Sequence, residues 1–177
     1  MLQFLKLYNV KDPQREIGNA GIDFFIPEMS EKFAQNFYKL NENTEAKLEI
    51  AENEDGSIQR YVIIKPNGNV LIPSGLCSLM PIDDGLLLCN KSSIATKLRL
   101  DLGAKLIDHS YEGEIVFHLE NRTSRYRILD LGMKIVQGIP IKIDIDEIKV
   151  VNDVPKEKFY EEHMKTRLDG KFGSTGA

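Results

Sequence analysis

Cysteine and histidine are scarce in this chain. Of its 177 residues only Cys77 and Cys89 are cysteine, and only His109, His118 and His163 are histidine. The two cysteines match no metal or redox spacing, which leaves them as reduced thiols in strands. Three scattered histidines supply no zinc site. There is no long basic run, and the net charge is −4, so nothing draws the chain generally to nucleic acid or to an anionic membrane. No apolar run is long enough to span a bilayer. The first seven residues lack the long apolar region and small-residue cleavage site of a secretory leader, so a cytoplasmic location is expected.

What is present reads as an ordinary globular protein. Hydrophobic residues make up 42% and charged residues 28%, and the length suits one domain with a substantial core. Residues 2–8 read as a strand, 9–19 as a polar loop with Pro13 and Gly18, and 20–26 as a second short strand stopped by Pro27. From residue 61 onward short strands alternate with turn signals, among them Asn67-Gly68, Pro73-Ser74-Gly75 and Asp83-Asp84-Gly85. Ile115, Phe117 and Leu119 oppose Val116, His118 and Glu120; Ile139, Ile141, Ile143 and Ile145 oppose Pro140, Lys142, Asp144 and Asp146. This period of two places one face in a core and one in water. After Asp146 the apolar phase shifts, which predicts a bulge there. The class is all-β, a jelly-roll or barrel.

Residues 28–60 interrupt the strand pattern. Ser30 is a candidate N-cap for a helix with Phe33, Phe37 and Leu40 on one side, broken at Asn41-Glu42-Asn43. Lys47-Leu48-Glu49-Ile50 and Tyr61-Val62-Ile63-Ile64 then pair around Asp55-Gly56. This mixed helix and hairpin is expected to be a surface decoration, since long surface insertions cost little. Near the C-terminus, residues 157–165 suit a short helix. Residues 166–177 hold three glycines around Arg167 and Phe172, next to Ser174 and Thr175. A frayed terminus is the plain reading. A Gly-rich backbone with Ser-Thr also presents N–H groups to an anion, Arg adds a planar fork for phosphate, and Phe a stacking face.

Residues 103–115 read as strand, polar turn and strand. Asp108 closes the first strand, and Tyr111 and Gly113 sit just past it. Alone, an Asp at a strand end and a Gly in a turn are punctuation. An acid beside an aromatic in a hairpin also suits a flat ligand with a base next to it.

These stretches together resemble the five motifs of the trimeric deoxyuridine triphosphatases, the dUTPases, in order along the chain. The motifs are Ala20-Gly21-Ile22-Asp23-Phe24, Asn90-Lys91-Ser92-Ser93-Ile94-Ala95-Thr96-Lys97, Ile107-Asp108-His109-Ser110-Tyr111-Glu112-Gly113-Glu114, Gly132-Met133-Lys134-Ile135-Val136-Gln137 and Phe172-Gly173-Ser174-Thr175-Gly176. Only residues 28–60 fall outside the match. The resemblance implies a distorted jelly-roll β-sandwich spanning residues 1–165, a flexible C-terminal lid arm at 166–177, and a homotrimer with shared active sites. It implies Mg²⁺-dependent hydrolysis of dUTP to dUMP and pyrophosphate, in a host's cytoplasm if the chain is phage-encoded. Under it, Asp108 is the general base for the attacking water. Lys91, Ser92 and Ser93 contact the phosphates, the plain alternative for the serines being N-capping. Asp23 and Gln137 meet the metal only through water, or serve as a strand-end cap and a backbone partner. Tyr111 packs against the deoxyribose, and Gly113 brings the backbone close to uracil. Arg167 reaches the γ-phosphate, Phe172 stacks on uracil, and Gly173, Ser174, Thr175 and Gly176 donate to the phosphates.

The chain departs from the family at several positions. Lys91 stands for the usual arginine, Ser110 for an acid, and Leu168 and Lys171 for tail glycines. Leu102-Gly103-Ala104 occupies the place of an asparagine that reads uracil. A dCTP deaminase, alone or bifunctional with dUTPase activity, shares the fold and needs a proton-shuttling glutamate after the third motif. In the register set by Asn121, His118 takes that place, and Glu120 is expected on the opposite face. An alternative of another class is a regulatory binding protein that keeps the fold. There the insertion 28–60 would dock a protein partner through Phe33, Phe37 and Leu40.

Overall fold

Alternation decides the burial of the strands. Ile115, Phe117 and Leu119 have no exposed surface, while Val116, His118 and Glu120 are half-buried. Ile139, Ile141 and Ile143 are likewise half-buried between exposed Pro140, Lys142 and Asp144. The structure, a computed structural model, describes residues 1–144 together with Pro155 and Lys158. The expected bulge after Asp146, the helix at 157–165, the domain boundary at 165/166 and the tail lie outside the described residues.

Met1–Asp144 forms one compact unit. Its strands are β1 (Gln3–Lys6), β2 (Ile22–Phe25), β3 (Lys47–Glu52), β4 (Ile58–Ile64), β5 (Asn69–Pro73), β6 (Leu76–Leu79), β7 (Asp84–Asn90), β8 (Leu100–Leu102), β9 (Leu106–Asp108), β10 (Val116–Asn121), β11 (Arg127–Asp130) and β12 (Lys134–Lys142). They form four antiparallel sheets, ordered β1-β6, β5-β10-β8, β11-β4-β3 and β2-β12-β7-β9. The fold is all-β and of the jelly-roll type. Its core gathers Phe24, Ile72, Leu86, Leu88 and Phe117, with the Phe24 and Phe117 rings 5.9 Å apart. Pro140 is tolerated in β12 because the β2 ladder ends at Gly138, leaving that side without a hydrogen-bond partner. Cys77 and Cys89 are free thiols in β6 and β7, as expected.

The insertion forms as read, but its helix is not a decoration. Helix α1 (Glu31–Leu40) starts at Ser30, whose Oγ accepts from the Phe33 N–H at 3.1 Å. Phe33 and Phe37, one turn apart, are fully buried, and Phe33 sits 6.3 Å from the Tyr8 ring. Asn41 ends the helix, its own N–H bonding the Phe37 and Tyr38 carbonyls. The Asn41 side chain then donates to the Leu71 carbonyl at 2.7 Å and accepts from the Leu71 N–H at 2.9 Å, pairing with β5 as a neighbouring strand does. Burying a phenylalanine contributes about 1.5–3 kcal/mol, so a helix with two inward Phe packs inward. The proposed docking face is therefore corrected: Phe33 and Phe37 belong to the core, and only Leu40 of that trio keeps partial exposure. β3 and β4 make the expected hairpin, with Lys47 opposite Ile63 and Ile50 opposite Arg60.

Candidate functional site

Three of the motif segments meet on one carboxylate. In the central ladder Cys89 of β7 faces Gln137 of β12, which faces Asp23 of β2. Asp23 is only 3% exposed. Its Oδ1 accepts from Lys91 Nζ at 2.7 Å and from Gln137 Nε2 at 3.0 Å, and its Oδ2 pairs with Lys134 Nζ at 2.9 Å. Burial pushes the Asp23 pKa up, but the bonds from Lys91, Lys134 and Gln137 outweigh it and hold the carboxyl at about 2. Asp23 and Glu16 in turn hold the Lys134 pKa above its usual value.

The reading from sequence missed Lys134. Residues 134 and 137 would point to opposite faces of a regular strand. A register shift between Lys134 and Val136 changes the parity and brings both side chains to Asp23. The signal was the pair Ile135-Val136, two apolar neighbours that are both buried in an otherwise alternating strand.

Beyond β7, Lys91 leads into a π-helical turn, Ile94–Leu98, a geometry enriched at functional sites. Ser92 and Ser93 are exposed. Ser93 occupies the cap position and makes no capping bond. Simple N-capping thus does not account for these hydroxyls, which stand beside Lys91 and are open to a ligand.

The third motif segment lies elsewhere. Asp108 ends β9, opposite Gly85 at the start of β7, and is exposed with no ion pair among the described residues. The Tyr111 N–H donates to the Asp108 carbonyl at 3.1 Å, closing a tight turn. Tyr111 is 43% exposed, and its hydroxyl donates to the Glu114 carbonyl at 2.9 Å. A Cβ on Gly113 would lie 2.6 Å from the Tyr111 hydroxyl oxygen, so glycine is what lets the ring close over the backbone. From Gly85 to Cys89 the strand runs about 13 Å, and β9 to β2 is three strand spacings of about 4.8 Å. Asp108 and Asp23 are therefore roughly 20 Å apart. Within one subunit, one group of this pair cannot deprotonate a water while the other assists at the same phosphate, because proton transfer requires hydrogen-bond reach. The described unit carries two half-sites at opposite ends of β7.

The deaminase comparison needs one correction. Side chains two apart on a strand share a face, so Glu120 lies on the same side as His118, and both border one shallow polar cleft with Arg122. Glu120 is held by Arg122 at 2.8 Å, and Arg122 also reaches Asp101 at 3.1 Å. His118 lies over Gly103, where any side chain would strike its ring. Glu120 is thus engaged in an ion-pair network rather than free to shuttle protons.

Among the described residues no group of three or more His, Cys, Asp or Glu side chains forms a metal cage. Asp23 already accepts three bonds, which leaves it one acceptor site of the about four a carboxylate has. That remaining site fits a water-mediated contact to a hydrated Mg²⁺. The site residues expected in the tail, Arg167, Phe172, Gly173, Ser174, Thr175 and Gly176, lie outside the described residues.

Known proteins resemble this chain along most of its length. The family model described as dUTPase matches residues 55–175. A deoxyuridine 5'-triphosphate nucleotidohydrolase of Solanum lycopersicum is 28% identical over 141 residues, covering 78% of this chain and 79% of the relative. One of Yarrowia lipolytica is 30% identical over 115 residues, covering 64% and 68%. Among solved structures, a Staphylococcus bacteriophage 80alpha dUTPase with dUpNHpp superposes with a TM-score of 0.70 at 18% identity, covering 100% of this chain and 99% of that one. A dUTPase from phage phi11 of S. aureus, described with a structural Mg(II) ion, gives 0.63 at 18% identity over 86% and 97%.

Proposed function

Since this chain belongs to the dUTPase family, we propose that it is a dUTP diphosphatase, an enzyme that cleaves dUTP to dUMP and pyrophosphate, working in the cytoplasm as a homotrimer with shared sites. The observation that carries this reading is the convergence of Asp23, Lys91, Lys134 and Gln137 beside the open hydroxyls of Ser92 and Ser93. An acid-anchored pair of lysines next to serine donors suits a polyphosphate. The rough 20 Å between this cluster and Asp108 motivates the sharing: the Asp108 hairpin of one subunit completes the phosphate half-site of another.

Asp108 accepts a proton from water as the water oxygen bonds the α-phosphorus, and the bond to the bridging oxygen breaks. Pyrophosphate leaves with the electron pair. The Ser92 hydroxyl and the Lys91 ammonium position the phosphate chain. Bound Mg²⁺ supplies Lewis-acid stabilisation of the charge on the leaving group. Asp23 and Gln137 would contact it through water. Tyr111 packs against the deoxyribose and leaves no room for a 2′-hydroxyl, while the Gly113 backbone approaches uracil. Arg167 and Phe172 bring the tail over the γ-phosphate and the base, and Gly173, Ser174 and Thr175 donate to the phosphates. This closure excludes bulk solvent while the attacking water is retained.

The test is pyrophosphate release from dUTP measured beside dCTP, dTTP and UTP, with Asp108→Asn as the variant. Turnover is expected for dUTP alone, and the variant should lose it by roughly 10³-fold, within the range for a general base, while still binding dUTP. Near wild-type turnover by Asp108→Asn would remove the base assignment. Conversion of dCTP to dUTP or dUMP would move the chain to the deaminases.

A further inference from the structure

Glu114 joins the insertion to the proposed substrate hairpin. It follows Gly113 directly and precedes Ile115, which is fully buried in the core. Its carboxylate collects donors from three separate places in the fold. Oε1 accepts from the Tyr8 hydroxyl and, at 2.7 Å, from the Gly75 N–H in the turn between β5 and β6. Oε2 accepts from Asn36 Nδ2 at 3.1 Å, and Asn36 lies on α1 between the two buried phenylalanines. The carbonyl of the same residue receives the Tyr111 hydroxyl at 2.9 Å. One residue therefore fixes the hairpin by its side chain and fixes the tyrosine by its backbone.

This arrangement departs from a plain surface contact in two respects. The donors are partly buried, so water competes poorly for them, and bonds to a charged acceptor are about twice as strong as neutral ones. Helix α1 is itself immobilised, through Phe33 and Phe37 in the core and Asn41 on β5. A rigid support is thereby transmitted to a turn whose tip, Tyr111 and Glu112, is otherwise exposed.

Resting on the dUTP reading above, we propose that the inserted helix is a positioning element for the deoxyuridine pocket, acting through Asn36 and Glu114. Neither residue touches the reacting atoms. They hold the Tyr111 and Gly113 turn in its binding-competent form, so that dUTP does not have to select it from a mixture.

The experiment compares wild type with Asn36→Ala, Glu114→Gln, the double variant, and Gln35→Ala as a control on the same helix, whose side chain bonds only Glu31 among the described residues. Asn36→Ala is expected to raise the KM for dUTP about tenfold, the factor that one lost bond to a charged acceptor makes in a conformational equilibrium, with kcat within about twofold. The Glu114→Gln effect should not add to it in full, because both act on one contact. Gln35→Ala should leave KM unchanged. Amide hydrogen exchange across residues 111–116 should quicken in Asn36→Ala by a similar factor. An unchanged KM with unchanged exchange overturns the proposal, as does a fall in kcat at constant KM. If wild type releases no pyrophosphate from dUTP, the hydrolase reading fails, and the exchange measurement still decides whether the helix holds the turn.

Discussion

Replacing Asp23 by asparagine tests the electrostatics of the phosphate half-site most directly. The substitution keeps the shape and removes the charge that faces Lys91 and Lys134. The Asp23 pKa falls from 3.8 to about 2 on folding. That shift corresponds to roughly 2.4 kcal/mol of stability at neutral pH, at about 1.36 kcal/mol per unit. Removing one partner of a buried ion pair costs about 3–5 kcal/mol when the other is trapped. Here the Lys91 and Lys134 side chains keep 18% and 33% exposure and can turn toward water. The expected loss is therefore about 2–3 kcal/mol, near the lower end. Because the folded pKa is depressed, the contribution is complete above the unfolded value near 4 and is lost as the pH falls toward 2. About 1 kcal/mol of it should be gone at pH 3. The assay is urea unfolding of both proteins at one fixed protein concentration, at pH 7, 4 and 3, since an oligomer's stability depends on concentration. The gap between wild type and Asp23→Asn should narrow as the pH drops. A gap below about 0.5 kcal/mol at pH 7, or one that is constant with pH, would refute the claim that two lysines and a glutamine hold this carboxylate charged.

Two further outcomes follow from the placement of the half-sites and of the helix. Asp108→Asn and Ser92→Ala each disable one half-site, so each alone should be inactive toward dUTP. Mixed and refolded together, they should regain pyrophosphate release in trimers that pair an intact hairpin with an intact serine; no recovery in verified mixed trimers would place both residues in one subunit's site. Phe33→Ala should cost about 3–5 kcal/mol in thermal or urea unfolding, because the side chain is fully buried. A loss under 1 kcal/mol would return the insertion to the status of a surface decoration.

Much of this protein is legible in its residues because the signals are local. The alternation of Ile115, Phe117 and Leu119 with polar neighbours is a property of the strand itself, and it yields the buried face without knowledge of what covers it. The Ser30 cap with Phe33 and Phe37 one turn apart marks α1 and its apolar face for the same reason. The family, too, was legible: the resemblance to the dUTPases is matched by the family model over residues 55–175. Asp108, Tyr111 and Gly113 fall in one turn as read.

The sequence could not say where the apolar face of α1 would go. Amphipathicity shows that a face is buried, and only the packing of α1 on β5 shows that it is buried in its own chain. Nor could it find Lys134 on Asp23, because a one-residue bulge reverses every side chain after it and depends on how β12 meets β2. The same limit hid Glu114: its partners Tyr8, Asn36 and Gly75 are 106, 78 and 39 residues away, a distance across which no local pattern speaks. The residues themselves determined the β class, the helix and the chemistry available at each motif. The tertiary structure alone decided which motif segments share a site, since ladder pairing gathers Asp23, Lys91, Lys134 and Gln137 at one end of β7 and leaves Asp108 at the other.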